Sequence, residues 1–139
     1  MAIASISCVS PEYNKIKSGK IETVIAELYE TIGNIVIRFP LLHCQECAST
    51  LKRWLKQREV PGKLWRISTR YDNEDFILSD RLEQQGCFES ITENGVHYGV
   101  EVYGKIFDNL SRFGLSPENW VNDFTSLSNE FEAEVIEEF

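Results

Sequence analysis

Two cysteines stand three residues apart in the run HCQECASTLKRWL, residues 43–55, where a helix is predicted to begin. Cys-x-x-Cys spacing occurs in zinc sites and in disulfide exchange, and a single thiolate also serves as a nucleophile. The pKa of a thiol falls at a helix N-terminus and beside a protonated imidazole. We predict that Cys44 is a nucleophile activated by His97, and Cys47 is the secondary candidate.

The base and its orienting group are predicted from a hairpin. His97 lies in VHYGVEV, residues 96–102, whose alternating apolar residues predict a half-buried strand. Tyr103-Gly104 predicts a two-residue turn, after which KIFDNL returns as the partner strand. In that register Asp108 lies on the face of His97, where it would fix the tautomer of the imidazole. Asn109 points the other way and is a secondary candidate.

Two helices are predicted ahead of this hairpin. Residues 21–36 carry apolar side chains at steps of three and four, and Gly33-Asn34 is expected to end that helix. The second helix begins at Cys44 and buries a stripe formed by Cys44, Ala48, Leu51 and Leu55. An extended link through Pro40 joins the two helices.

The remaining segments predict a small sheet with short additions. Residues 63–69, KLWRIST, are predicted to form a first strand, and residues 71–95 are predicted to be mostly loop. Ser116 and Pro117 begin a short helix in which Trp120 is expected to anchor the core. We expect one domain over residues 1–139, with residues 1–20 as an extension and residues 125–139 as an acidic amphipathic helix.

Composition narrows the range of partners. The formal charge of −8 opposes a phosphate backbone, so we expect no nucleic acid partner. No apolar run is long enough for a membrane helix, and no signal peptide is visible, so we expect no membrane partner and a cytoplasmic or delivered protein. Four cysteines are too few for a disulfide scaffold, and we expect them to be reduced.

Three segments together resemble a known family. The run CQECA, then NGVHYGVEVYGKIFDN, then GLSPENW is similar to the papain-fold toxin domains of bacterial polymorphic toxin systems, over roughly residues 35–124. The resemblance implies an α+β fold with a papain-like core, in which helices pack on a small antiparallel sheet. It also implies a cysteine hydrolase, either a glutamine deamidase or a peptidase, that acts on a protein substrate and has a cognate inhibitor protein.

Residue by residue, the resemblance assigns the nucleophile to Cys44, the base to His97 and the acidic residue to Asp108. His43 stands where family members tend to carry an amide residue, and Gln45 is the candidate to replace that amide in the oxyanion hole. No metal or cofactor is expected for this chemistry.

Two other functions remain open from the sequence. Cys44, Cys47, Cys87 and His97 have the residue types of a Cys₃His zinc site, which would make the chain a zinc-binding interaction module. The other alternative is a papain-like fold that has lost its activity and serves as a binding domain.

Overall fold

The computed structural model describes the backbone of residues 13–139 and the side chains from residue 22 onward. Its helices are α1 (Tyr13–Val36), α2 (Cys44–Gln57), α3 (Asp80–Gln84) and α4 (Pro117–Val121). Its strands are β1 (Lys63–Thr69), β2 (Leu78–Ser79), β3 (Val96–Val102), β4 (Lys105–Phe107), β5 (Phe124–Thr125) and β6 (Phe131–Glu138). Within the described part, no helix has the length and apolar character needed to span a membrane.

A four-stranded antiparallel sheet in the order β4-β3-β1-β6 forms the centre of the fold, and β2 pairs with β5 apart from it. Helices α1 and α2 cover one face of the large sheet. That core contains Ile32, Val36, Cys47, Ala48, Leu51, Leu55, Val100, Val102 and Phe107. On the other face lies a second core of Ile67, Ile77, Ile91, Ile106, Trp120 and Phe124. The expected α+β class, with helices packed on a small antiparallel sheet, is confirmed.

The predicted hairpin is confirmed in its register. Val102 pairs with Lys105 across the turn. Tyr103 and Gly104 both have positive φ, 47° and 87°, as the two central residues of a tight hairpin turn require. The ladder ends at Phe107, so β4 is shorter than the six-residue return strand expected, and Asp108 lies just beyond it.

The first helix is longer than predicted. It begins at Tyr13, inside the segment assigned to an extension, and it continues through Gly33 to Val36. The expected helix end at Gly33-Asn34 was therefore wrong. A Cβ on Gly33 would lie 2.4 Å from the backbone oxygen of Arg112, so glycine is needed here for close packing rather than for a helix end. The link from residue 37 to residue 43 consists of turns and is not extended.

The prediction of an acidic C-terminal helix was also wrong. Residues 131–138 form β6, the edge strand, which pairs antiparallel with the whole of β1. The spacing of Phe131, Val135 and Phe139 is four residues, and this is both about one helical turn and twice the two-residue period of a strand. Pairing with β1 decides between the two periods, since β6 covers an edge of β1 that would otherwise expose unpaired backbone groups.

The segment from residue 71 to residue 95 is mostly loop, as expected, but it contains β2 and α3. Ser79 caps α3, because its side chain accepts a hydrogen bond from the backbone N–H of Leu82. The predicted start of α4 is confirmed, since the Ser116 side chain accepts from the N–H of Asn119 and Pro117 follows it.

Candidate active site

The first residue of α2 is Cys44, and its thiol is buried at the start of the helix. No side chain caps this end: His43 stands at the N-cap position and makes no capping hydrogen bond. The preceding turn is stabilised by a residue distant in the sequence, because the Asn109 side-chain amide donates a hydrogen bond of 2.9 Å to the Pro40 oxygen. The helix therefore presents uncapped backbone N–H groups and its positive dipole end beside the thiol.

Cys44 faces an unpaired stretch of β3. Because β4 reaches only as far as the partner of Val100, the edge of β3 from Val96 to Gly99 has no strand on that side. Cys44 Sγ lies 4.0 Å from the Val96 oxygen at this edge. The backbone N–H of Tyr98 also interacts with the sulfur and lowers its pKa. The short return strand thus leaves room for the thiol.

His97 lies fully buried in β3, on the face of the sheet opposite α1 and α2. Its Nε2 and Asp108 Oδ2 are 2.7 Å apart. Since an ionised carboxylate only accepts, Nε2 carries the hydrogen. Nδ1 makes no hydrogen bond of good geometry with any described residue. The Cys44 thiol and the Asp108 carboxylate are the ionisable side chains that interact with this imidazole. Catalytic hydrogen bonds are often long or poorly aligned before substrate binds.

Several hydrogen-bond donors converge on the buried Asp108 carboxylate. Besides His97, the indole N–H of Trp120 donates to Oδ2 over 2.8 Å. The backbone N–H of Leu110 donates to Oδ1 over 2.9 Å. A buried charge is tolerated only when such partners replace its hydration. These hydrogen bonds therefore hold the carboxylate in one orientation and stabilise its ionised form.

Aromatic rings enclose the imidazole. The indole of Trp120 stacks on it with ring centroids 5.9 Å apart and an interplanar angle of 25°. The Phe124 ring meets it edge-on at 5.3 Å. Gly99 makes this possible, because a Cβ there would lie 2.6 Å from Ile106 and 3.0 Å from Trp120.

Trp120 is the core anchor that the sequence predicted, and it is also the partner of Asp108. Sequence reasoning missed that second contact. The only available signal was the predicted helix start at Ser116, which gives no information about where the indole N–H points.

The pKa values of the three side chains are shifted in a consistent pattern. Burial would raise the pKa of the Cys44 thiol, but the hydrogen bond and charge of His97 outweigh it and lower the pKa. Burial would lower the pKa of His97, yet Asp108 and Cys44 raise it to about 9. Burial would raise the pKa of Asp108, but its contacts with His97, Ser111 and Trp120 lower it to about 2. The arrangement favours thiolate, imidazolium and carboxylate together.

Cys47 has the opposite environment. It is 1% exposed within the core between the helices and the sheet. Burial, together with the charges of Asp108 and Cys44, raises the pKa of its thiol to about 12. A thiol in such surroundings is a packing residue rather than a nucleophile.

The two other secondary candidates lie beside the site. Asn109 binds the turn before α2, as described above, and does not contact His97. Gln45 is exposed and lines a hollow of about 220 Å³ between α2 and the sheet, together with Leu64, Tyr98 and Ile136. His43 pairs with the carboxylate of Glu46 at the surface.

The four proposed zinc ligands do not form a site. Among the residues that the structure describes, no three His, Cys, Asp or Glu side chains are grouped so as to hold a metal ion. Cys87 lies in the loop that follows α3. Cys44, Cys47 and Cys87 are free thiols, and Cys8 lies outside the described residues.

Comparison with known proteins identifies a family but no individual relative. No curated protein and no solved structure is significantly similar to the chain. A family model described as papain fold toxin 2 matches residues 27–125, well over half of the chain. The matched range covers the C-terminal part of α1 and the whole of α2, the hairpin and α4, and it therefore contains Cys44, His97 and Asp108. The resemblance seen in the sequence is confirmed: this chain belongs to the papain fold toxin 2 family.

Proposed function

We propose that the protein is a cysteine hydrolase that acts on an amide of a target protein, with Cys44 as nucleophile, His97 as general acid and base, and Asp108 as the residue that orients His97. The observation that carries this proposal is the position of His97, whose ring interacts with the Cys44 thiol and with the Asp108 carboxylate at the same time.

The first half of the reaction forms an acyl-enzyme. The Cys44 thiolate attacks the amide carbon, a C–S bond forms, and the carbonyl oxygen becomes an oxyanion. The uncapped N–H groups at the start of α2 are available to stabilise that charge. The C–N bond then breaks, and the His97 imidazolium donates its proton to the departing nitrogen, which leaves as ammonia or an amine.

The second half releases the product. The now neutral His97 accepts a proton from water as the water attacks the thioester carbon. The C–S bond breaks, the product leaves as a carboxylic acid, and the thiolate–imidazolium pair is restored. Asp108 stays ionised throughout and holds the imidazole in one orientation.

The depth of the thiol favours a side-chain amide as the group attacked. Cys44 is 7% exposed and His97 is fully buried. A glutamine amide stands two methylenes away from its backbone and reaches a recessed thiol more easily than a main-chain amide does. Glutamine deamidation is therefore our leading reaction, and peptide cleavage is the second. As a papain-fold toxin, the protein would modify a target protein and be held in check by an inhibitor protein.

The test is the rate of iodoacetamide labelling at each cysteine as a function of pH, read by mass spectrometry. In the wild type, Cys44 should react fast well below pH 8, and the rate should fall in His97→Ala because the imidazolium no longer stabilises the thiolate. If every thiol titrates near the free value of about 8.5, the activated pair is absent and the proposal fails. Incubation with candidate target proteins then separates glutamine-to-glutamate conversion from chain cleavage.

A further inference from the structure

A stripe of α2 runs from the nucleophile toward the basic end of the helix. Gln45, Ser49, Lys52 and Lys56 follow one another at steps of four, three and four residues, which places them on one side of the helix. Gln45 is the neighbour of Cys44. Each of these side chains lines one or both of two hollows on α2, of about 220 and 500 Å³.

The two hollows adjoin, because Ser49 and Lys52 line both of them. The hollow nearer Cys44 has an apolar wall on the sheet side, formed by Leu64, Tyr98 and Ile136. The far hollow is bounded by Lys52, Arg53 and Lys56. We name this continuous surface, defined by Gln45, Ser49, Lys52 and Lys56, the α2 track.

The charge of the α2 track is opposite to that of the whole chain. The net charge of the protein is −8, yet α2 carries three cations and only one acid, Glu46, which pairs with His43. Arg53 and Lys56 form no ion pair with any other residue that the structure describes. Lys52 already binds a carboxylate, because its Nζ lies 2.5 Å from Glu137 Oε1 of β6.

Resting on the function proposed above, we infer that the α2 track binds the substrate as an extended segment with acidic side chains some residues away from the amide that Cys44 attacks. An α-helix rises about 1.5 Å per residue, so Lys52 lies about 12 Å and Lys56 about 18 Å along the axis from Cys44. An extended chain advances about 3.3 Å per residue. Acidic residues are therefore expected about four to six positions from the reacting residue.

The test uses peptides in which a chloromethyl ketone replaces the side-chain amide of one glutamine. One pair of peptides carries glutamates four to six residues before or after that position, and a matched pair carries glutamines there. The measured quantity is the ratio of the Cys44 alkylation rates of the acidic and neutral peptides. Lys52 is already paired with Glu137, so the two new exposed ion pairs would be made with Lys56 and with the neighbouring Arg53. They should raise that ratio about three- to tenfold at low salt for one of the two directions.

Two variants of equal charge change separate local contact from overall charge. Lys56→Glu should abolish the preference for the acidic peptide. Arg70 is exposed and follows the last residue of β1, so Arg70→Glu should keep most of the preference. If acidic and neutral peptides react equally in the wild type, or if Arg70→Glu removes the preference as completely as Lys56→Glu does, the track does not select acidic segments.

A binding measurement keeps this result independent of the chemistry. Fluorescein-labelled acidic peptide, with glutamine in place of the ketone, should bind Cys44→Ala in fluorescence anisotropy, and binding should weaken in Cys44→Ala/Lys56→Glu and at high salt. If iodoacetamide labelling shows no activated thiol while this binding is observed, the proposed hydrolase function is wrong, but the α2 track still binds acidic segments. If the thiol is activated and no such binding occurs, the inference about the α2 track is wrong, and the proposed hydrolase function is unaffected.

Discussion

At the scale of single residues, two buried cysteines that stand only one helical turn apart have thiol pKa values shifted in opposite directions. Cys44 sits where α2 begins, and the favourable interactions with His97 overcome the cost of burying a thiolate. Cys47 sits one turn deeper, where the nearby Asp108 charge adds to that cost. The same residue type is therefore a candidate nucleophile at one position and a packing residue at the other.

Replacement of Cys47 tests this distinction. We expect Cys47→Ala to retain fast labelling of Cys44, with a stability loss of about 1 kcal/mol for the small cavity. In the wild type, Cys47 should label only after unfolding in denaturant, since it is buried and its pKa is about 12. Fast labelling of Cys47 in the native protein, or loss of Cys44 reactivity in Cys47→Ala, would reverse the assignment.

At the scale of elements, the short helix α4 brings Trp120 against the hairpin and connects it to Asp108. In Trp120→Phe the aromatic stack on His97 is kept but the N–H that donates to Asp108 is lost. Because a hydrogen bond to a charged group is removed, we expect a stability loss of about 2 kcal/mol by chemical denaturation, and slower labelling of Cys44.

Trp65→Phe provides the control for that change. The Trp65 indole also donates to a carboxylate, Glu101, over 2.9 Å, but in a half-exposed position. Water can replace that bond, so the loss of stability should be smaller and Cys44 labelling should be little changed. Equal effects of the two substitutions would mean that the Asp108 bond has no special role.

Strand β6 gives the second prediction at this scale. A chain that ends at Asn129 lacks β6 and exposes the full edge of β1. We expect its free energy of unfolding to fall by at least about 3 kcal/mol, because several backbone hydrogen bonds are lost, and we expect it to self-associate through the exposed edge. Denaturant titration and size-exclusion chromatography measure both effects. An unchanged, monomeric protein would show that β6 adds nothing to the sheet.

These elements also show which parts of the fold could be predicted from sequence. The hairpin was predictable down to the diagonal relation of His97 and Asp108, because a two-residue turn fixes the register locally. The start of α2 was predictable from its apolar stripe. The strand conformation of β6 was not predictable, because a four-residue spacing of apolar residues fits both a helix and a strand. Only the pairing of β6 with β1, more than 60 residues earlier, decides between them. The contact of Trp120 with Asp108 likewise depends on how distant elements pack.

At the scale of the whole molecule, the buried pair of His97 and Asp108 makes folding stability depend on pH. The raised pKa of His97 gives stability that is fully present below its usual 6.5 and is lost as pH rises through about 9. The lowered pKa of Asp108 gives stability that is present above its usual 3.8 and is lost as pH falls through about 2. Both contributions are complete between about pH 4 and pH 6.5.

Asp108→Asn should reveal this window. Breaking a buried pair costs on the order of 3 kcal/mol, so the variant should be less stable than the wild type by about that amount near pH 5 to 6. The difference should shrink above pH 9 and toward pH 2. Urea unfolding of both proteins across this range measures it. A difference that does not vary with pH would mean that the pair is not ionised in the folded protein.

The length of β4 has a consequence for how such a site arises. Every further residue pair added to the β3–β4 ladder would place main-chain atoms where the Cys44 sulfur now meets Val96 and Tyr98. We therefore expect an insertion that lengthens the return strand to displace the Cys44 thiol, even when Cys44, His97 and Asp108 are all present in the sequence. Among relatives with an intact Cys, His and Asp, we therefore expect the number of residues between the turn and the aspartate to separate chains with an activated thiol from chains without one.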